Sequence, residues 1–129
     1  MNAKEKVIGL LGSATVDLQA GDGKSDVYTV PIGKKAIIDH VVIRNPTASL
    51  ADCTDVDFGS GANADTWRQT ISLTTLTATT DYIVIPSIAA TPVKYTCEVA
   101  AAVFGVKVIT GATLDAQATM EVWGHEVDG

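Results

Sequence analysis

The most informative segment of the chain is KAIIDHVVIRN, residues 35–45. It is rich in β-branched residues, which favour an extended strand over a helix. Because side chains alternate between the two faces of a strand, one face is expected to carry Ile37, Val41 and Ile43, and the other Ile38, His40, Val42 and Arg44. Both faces are therefore partly apolar. This pattern predicts a central strand whose outer face is covered by a neighbouring segment or by another subunit.

Short segments of the same kind recur along the chain, separated by turn residues at intervals of about 8–12 positions. They lie at residues 15–19, 26–30, 55–58, 82–85, 104–109 and 119–127. No sustained apolar pattern of helical period occurs between them. The sequence therefore predicts an all-β sandwich in a single domain. Residues 1–12 are expected to form an N-terminal arm or a first edge strand, and residues 13–129 the sandwich, with the strand order around residues 93–102 left open.

The composition sets limits on function. Of the 129 residues, 47% are hydrophobic and only 5% aromatic, so the core must consist mainly of aliphatic side chains. The net charge of −6 argues against nucleic-acid binding, since contacts with phosphates require a face rich in lysine and arginine. No run approaches the roughly 20 apolar residues that span a membrane. The apolar run 7–11 is too short for a signal peptide, so we expect a reducing cytoplasm and two free, buried thiols, Cys53 and Cys97.

The sequence contains no recognisable catalytic motif. The two histidines, His40 and His125, lie inside expected strands with no motif around them. Asp39 and His40 are adjacent, so strict alternation places them on opposite faces and predicts that they cannot pair. There is no Gly-x-Ser-x-Gly motif and no glycine-rich loop that leads into a helix. We therefore expect no enzyme activity, no cofactor and no metal.

Two weaker alternatives stay open. An acidic region could bind a hard cation such as Ca²⁺, although it lacks the residue spacing of a calcium-binding loop. Its members are Asp52, Asp55, Asp57 and Asp65. Exposed aromatic side chains could form a platform for a sugar, although a core this poor in aromatic residues is expected to keep them inside. The candidates are Trp67, Tyr82, Tyr95 and Trp123.

Three stretches of the chain resemble a known class of viral proteins. They are VYTVPIGKKAII at 27–38 with its continuation VVIRN at 41–45, FGVKV at 104–108 with the turn at 110–111, and VWGHEV at 122–127. The first resembles the opening, and the other two the last two strands, of small β-sandwich structural proteins of tailed bacteriophages. The resemblance implies a jelly-roll-like sandwich and a structural role in the virion.

Within that class the chain is most similar to head decoration (cement) proteins. Such proteins bind the outside of the capsid, often as trimers, and clamp neighbouring shell subunits. The resemblance therefore implies the major capsid protein as partner, a homotrimer, and a place on the capsid surface after synthesis in the host cytoplasm. The single-domain length and the absence of a coiled-coil or fibre repeat favour this role over a tail-tip or fibre module that binds a receptor glycan.

The surfaces expected to make these contacts are the N-terminal arm and the strand that is apolar on both faces. The candidate interface residues are Val7, Ile8, Leu10, Leu11, Ile38, Val42 and Trp67. A loop of the same chain could cover the strand instead, and the arm could be a frayed chain end.

Overall fold

The computed structural model describes residues 7–21, 23–87 and 97–129, and these residues form nine β-strands. The strands are β1 (Gly9–Asp17), β2 (Lys24–Thr29), β3 (Lys34–Arg44), β4 (Asp55–Gly59), β5 (Arg68–Ile71), β6 (Tyr82–Pro86), β7 (Cys97–Glu98), β8 (Val103–Thr110) and β9 (Gln117–Asp128). The described part of the chain contains no helix, and therefore none that could span a membrane.

The strands form two antiparallel sheets. The five-stranded sheet has the order β1-β9-β3-β6, and the short β7 also pairs with β3. The four-stranded sheet has the order β2-β8-β4-β5. With β7 set aside, each sheet contains four strands, and the chain crosses between the sheets in the order of a jelly roll. The all-β, jelly-roll-like sandwich expected from the sequence is confirmed.

The core lies between the two sheets and is mainly aliphatic. Val16 and Leu18 of the first alternating segment are fully buried, as are Val56 and Phe58 of β4. The alternation in these segments therefore identified their inner faces correctly. The sequence did not indicate β5, and it left open the strand order around β7 and the choice between an arm and an edge strand for the first half of β1. Since β1 begins at Gly9, residues 9–12 belong to an edge strand, whereas residues 1–6, 22 and 88–96 lie outside the described residues.

A β-bulge at Asp39 changes the faces of β3. Ile38 pairs with Gly124 and His40 pairs with Trp123, so Asp39 is an extra residue without a partner in β9. Such an insertion reverses the alternation on the bulged strand. Ile38 consequently lies inside, with no exposed surface, together with Val41 and Ile43. The expectation that Ile38 shares a face with His40 and Val42, and contacts another subunit, is therefore wrong.

Glycine lies opposite this bulge and opposite a similar one in the other sheet. A Cβ on Gly124 would collide with the backbone carbonyl oxygen of Ile37, next to the bulge in β3. A Cβ on Gly105 would collide in the same way with the carbonyl oxygen of Ser25, next to the bulge at Val27 in β2. The two strands approach so closely at these points that only a residue without a side chain fits.

Partly buried hydrogen bonds join the two sheets on both sides of Ala36, near the start of β3. Glu98 of β7 is 3% exposed and accepts hydrogen bonds from Ser60 Oγ at 2.5 Å and Thr66 Oγ1 at 2.6 Å, in the loop after β4. The Tyr28 hydroxyl of β2 donates to Glu126 Oε2 of β9 at 2.5 Å. Burial and this carboxylate raise the pKa of the Tyr28 hydroxyl. Each bond ties a strand of one sheet to an element of the other.

The two cysteines are free, as expected, but only one of them is buried. Cys53 has no exposed surface, and its burial raises the pKa of the thiol to about 11. Cys97 is exposed on β7, so the expectation of burial fails there. The thiolate is the reactive form, and Cys53 is both inaccessible and protonated at neutral pH.

We therefore expect a thiol reagent such as Ellman's reagent to modify one cysteine per chain rapidly at pH 8. The second cysteine should react only at the rate of global unfolding, because its exposure requires the core to open. Cys97→Ser should abolish the rapid phase and Cys53→Ser should leave it intact. Two rapid thiols in the native protein would contradict the burial of Cys53.

Candidate interaction surface

The outer face of the five-stranded sheet carries side chains that lie side by side in four cross-strand rows. The rows are Cys97–Ile37–His125, Pro86–His40–Trp123–Leu10, Val84–Val42–Glu121–Ser13 and Tyr82–Arg44–Thr119–Thr15. Together these four rows are called the outer face. Side chains in neighbouring positions of adjacent strands lie about 5 Å apart and form one continuous surface.

Much of this face is apolar and accessible. Tyr82 is 69% exposed, Leu10 50% and Val84 49%, and they surround the partly exposed Val42 and Trp123. Scattered apolar residues are ordinary on a protein surface, whereas a contiguous apolar patch marks an interaction site. About half of the side chains in the four rows are apolar or aromatic, so the outer face is the candidate interaction surface.

A ring stack lies near the middle of the outer face. The rings of His40 and Trp123 are parallel within 7°, with centroids 5.7 Å apart. His40 Nδ1 lies 2.7 Å from Asp39 Oδ2. The bulge brings these neighbouring residues to one side of the strand, so the expectation that they cannot pair is wrong. The stack and its carboxylate partner hold the imidazole in a fixed orientation.

The charged side chains of the outer face are paired with one another. Arg44 Nε donates to Glu121 Oε2 at 3.2 Å, and Trp123 Nε1 lies 3.3 Å from Glu121 Oε1. His40 is paired with Asp39. Each of these side chains thus has a polar partner on the same side of the sheet, in a chain that carries a net charge of −6.

The outer side of the four-stranded sheet has a different character. Asp57 of β4 and Lys24 of β2 both lie beside Lys107 of β8, whose Nζ donates to Asn63 Oδ1 at 3.1 Å. Ile109, 51% exposed, is an apolar residue on this side. A polar, charged sheet face of this kind is typical of a surface in contact with water.

Trp67, one of the candidate interface residues, belongs to the core. It is 6% exposed, and its ring packs edge-on against Phe58 and Phe104, with centroids 6.4 and 5.8 Å away. Its Nε1 donates to the backbone carbonyl oxygen of Ile38 at 3.2 Å. The expectation that Trp67 contacts a partner is therefore wrong. Of the other aromatic candidates, Tyr82 and Trp123 lie on the outer face and Tyr95 lies outside the described residues.

The N-terminal candidates lie along one edge of the five-stranded sheet. Val7 is 70% exposed and Ile8 45%, while Leu11 packs against the core. A cleft of about 450 Å³ is lined by residues at the start of β1 and at the end of β9, together with Lys34. The apolar surface thus extends to this edge through Val7, Ile8 and Leu10. The remaining candidate, Val42, lies on the outer face itself. Whether these residues contact a partner stays a prediction.

The four acidic candidates do not converge in the structure. Asp57 Oδ1 accepts from the backbone N–H of Thr70 at 2.8 Å, and Asp52 Oδ2 from Thr113 Oγ1 at 2.6 Å, in different parts of the fold. Among the described residues there is no group of three or more side chains that could hold a metal ion. The arrangement gives the calcium alternative no support.

Val84 was not recognised as a surface residue from the sequence. The segment YIVIP at 82–86 is apolar or proline beyond its first residue, so its alternation does not distinguish an inner from an outer face. Only the pairing with β3 shows that Val84 lies beside the outer Val42 and Ile85 beside the inner Val41.

Comparison with known proteins shows which molecules share this fold. No protein-family model matches the chain, and no curated protein does. A chain in the acidic stable capsid structure of Helicobacter pylori bacteriophage KHP30 is similar, with a TM-score of 0.57 and 15% identity over 97% of this chain and 96% of that chain. A chain in the capsid asymmetric unit of cyanophage Pam1 has a TM-score of 0.52 and 12% identity, over 98% and 88%. The protein therefore shares its fold, over nearly its whole length, with chains of two bacteriophage capsids.

Proposed function

We propose that the protein is a structural component of a bacteriophage virion, and more specifically a decoration protein that binds the outside of the capsid. The observation that carries the proposal is the match with two capsid chains. In both cases the alignment covers nearly all of each chain, so the similar proteins are themselves domains of about this size. Fold alone does not determine function, and the proposal also draws support from the apolar outer face.

A decoration protein stabilises the capsid because it binds the assembled shell and not the separate shell subunits. A decoration protein that bridges neighbouring shell subunits has a complete binding site only on the assembled shell, so it stabilises that state and no other. At a free concentration of 100 times Kd, each occupied site contributes about 2.7 kcal/mol. A trimer would engage several sites at once, and this multivalency would strengthen attachment without any new contact.

A tail-tip or fibre module that binds a receptor glycan is the other role considered from the sequence. It receives less support, because both similar chains come from capsid structures and because Trp67, one of the four candidates for a sugar platform, lies in the core. The capsid role is therefore preferred.

The proposal is tested with capsid shells of the encoding phage prepared without this protein. Purified protein is added, the shells are sedimented, and both the bound fraction and the temperature of shell disruption are measured. We expect saturable binding and a higher disruption temperature, and light scattering of the free protein should give the mass of a trimer. Binding to tails but not to shells would overturn the proposal.

A further inference from the structure

We propose that the outer face of the five-stranded sheet is the surface that binds the shell, and that its partner is an uncharged, apolar patch on an assembled shell subunit. This inference rests on the proposed function and assigns it to one side of the molecule. The opposite side, formed by the four-stranded sheet, is assigned to solvent.

The charges of the outer face define the chemistry of the partner. Arg44 is paired with Glu121 and His40 with Asp39, so the four rows hold no unpaired carboxylate, lysine or arginine. Their remaining imidazole, His125, has its Nδ1 buried without a hydrogen-bond partner. A basic patch on the partner would find no free carboxylate here, and an acidic patch would find no free cation. Burying an unpaired charge is costly, so the complementary surface is one that brings none.

The outer face is small. Four strands about 4.8 Å apart and four rows about 6.7 Å apart cover a flat area of about 500 Å². One copy of this face therefore makes a contact of no more than about standard size. A shell offers the same small contact at many fixed positions. A decoration trimer that makes three such contacts at once binds with a higher overall affinity, because the second and third contacts form at a high effective concentration.

The ring stack supplies an anchor for such a contact. Aromatic side chains near the centre of an interface contribute most of its binding energy. Trp123 is already held against His40 and Glu121, and His40 against Asp39. Because these side chains are ordered before binding, little rotational freedom is lost when the partner covers them. Leu10 and Val84 flank the stack on the two neighbouring strands.

The experiment compares two substitutions of equal kind on opposite sides of the molecule. Val84 and Ile109 are apolar strand residues with almost the same exposure, 49% and 51%, and neither is part of the core. Val84→Asp should weaken co-sedimentation with shells about tenfold or more, since it buries an unpaired carboxylate against an apolar partner. Ile109→Asp should bind like the original protein. Leu10→Asp, at the far side of the stack, should reproduce the loss, and thermal unfolding of each variant verifies that it is folded.

The outcomes separate this inference from the proposed function. If the original protein binds shells and Val84→Asp binds equally well, the assigned face is wrong and the decoration role stands. If Ile109→Asp loses binding as much as Val84→Asp, the face is again wrong. If the unmodified protein is a dimer that Val84→Asp converts to a monomer, the occupant is a second copy. Failure of the unmodified protein to bind shells would overturn both proposals.

Discussion

Replacing Gly124 with alanine is expected to destabilise the fold by about 3 kcal/mol, at the upper end of what an overpacking substitution usually costs. The added Cβ would collide with the backbone carbonyl oxygen of Ile37, which no side-chain rotation can relieve. The strand pair β3–β9, the central pair of the five-stranded sheet, would have to separate at the bulge. Urea unfolding followed by circular dichroism measures the change, and the melting temperature should fall by about 10 °C.

Gly9→Ala is the matched control for this substitution. Gly9 is the register partner of Gly124 across β1 and β9, but a Cβ at Gly9 meets no atom within 4 Å. The free energy of unfolding should therefore change by no more than about 0.5 kcal/mol. If Gly124→Ala proved as stable as Gly9→Ala, the close approach of β3 to β9 at Asp39 would be refuted.

Trp67→Ala is expected to cost about 3–5 kcal/mol of folding free energy, as large aromatic deletions from a core do. The substitution removes the ring that packs against Phe58 and Phe104 in a core with few other aromatic residues. It also leaves the carbonyl oxygen of Ile38 without its hydrogen bond from the indole. Chemical denaturation measures the loss directly.

Tyr82→Ala provides the comparison with an aromatic residue on the surface. Tyr82 is 69% exposed, and its removal should alter the free energy of unfolding by no more than about 0.5 kcal/mol. A residue whose purpose is to contact a partner would give the same small effect. A Trp67→Ala variant with unchanged stability would thus restore Trp67 as an interface residue and contradict its place in the core.

The sandwich architecture and most of the core could be predicted because alternation is a local signal. Val16, Leu18, Val56 and Phe58 are separated by polar or small residues, and each lies on the face that this spacing indicates. The bulge at Asp39 could not be predicted in this way, since nothing within residues 35–45 marks it. Its signal lies some 85 positions away, at Gly124, and becomes meaningful only when the pairing of β3 with β9 is known.

The candidate surface could be predicted only in part, because local alternation indicates some of its residues and contacts between distant strands determine the others. The sequence correctly indicated that β3 is apolar on both sides, and Val42 does lie on the outer face. Ile38 was assigned to the wrong side because the bulge reverses the alternation before Val42 is reached. Trp67 was misjudged because β5, which comes directly after it, has no recognisable pattern, so its direction could not be deduced. Both errors arise from contacts between strands distant in sequence.

Cryo-electron microscopy of the intact virion tests the central claim most directly. The expected result is density for this sandwich on the outside of the capsid, with Leu10, Trp123 and Val84 turned toward the shell and Lys107 turned toward solvent. Density for the chain in the tail, or on the capsid with Lys107 and Asp57 against the shell and the His40–Trp123 stack in solvent, would contradict it.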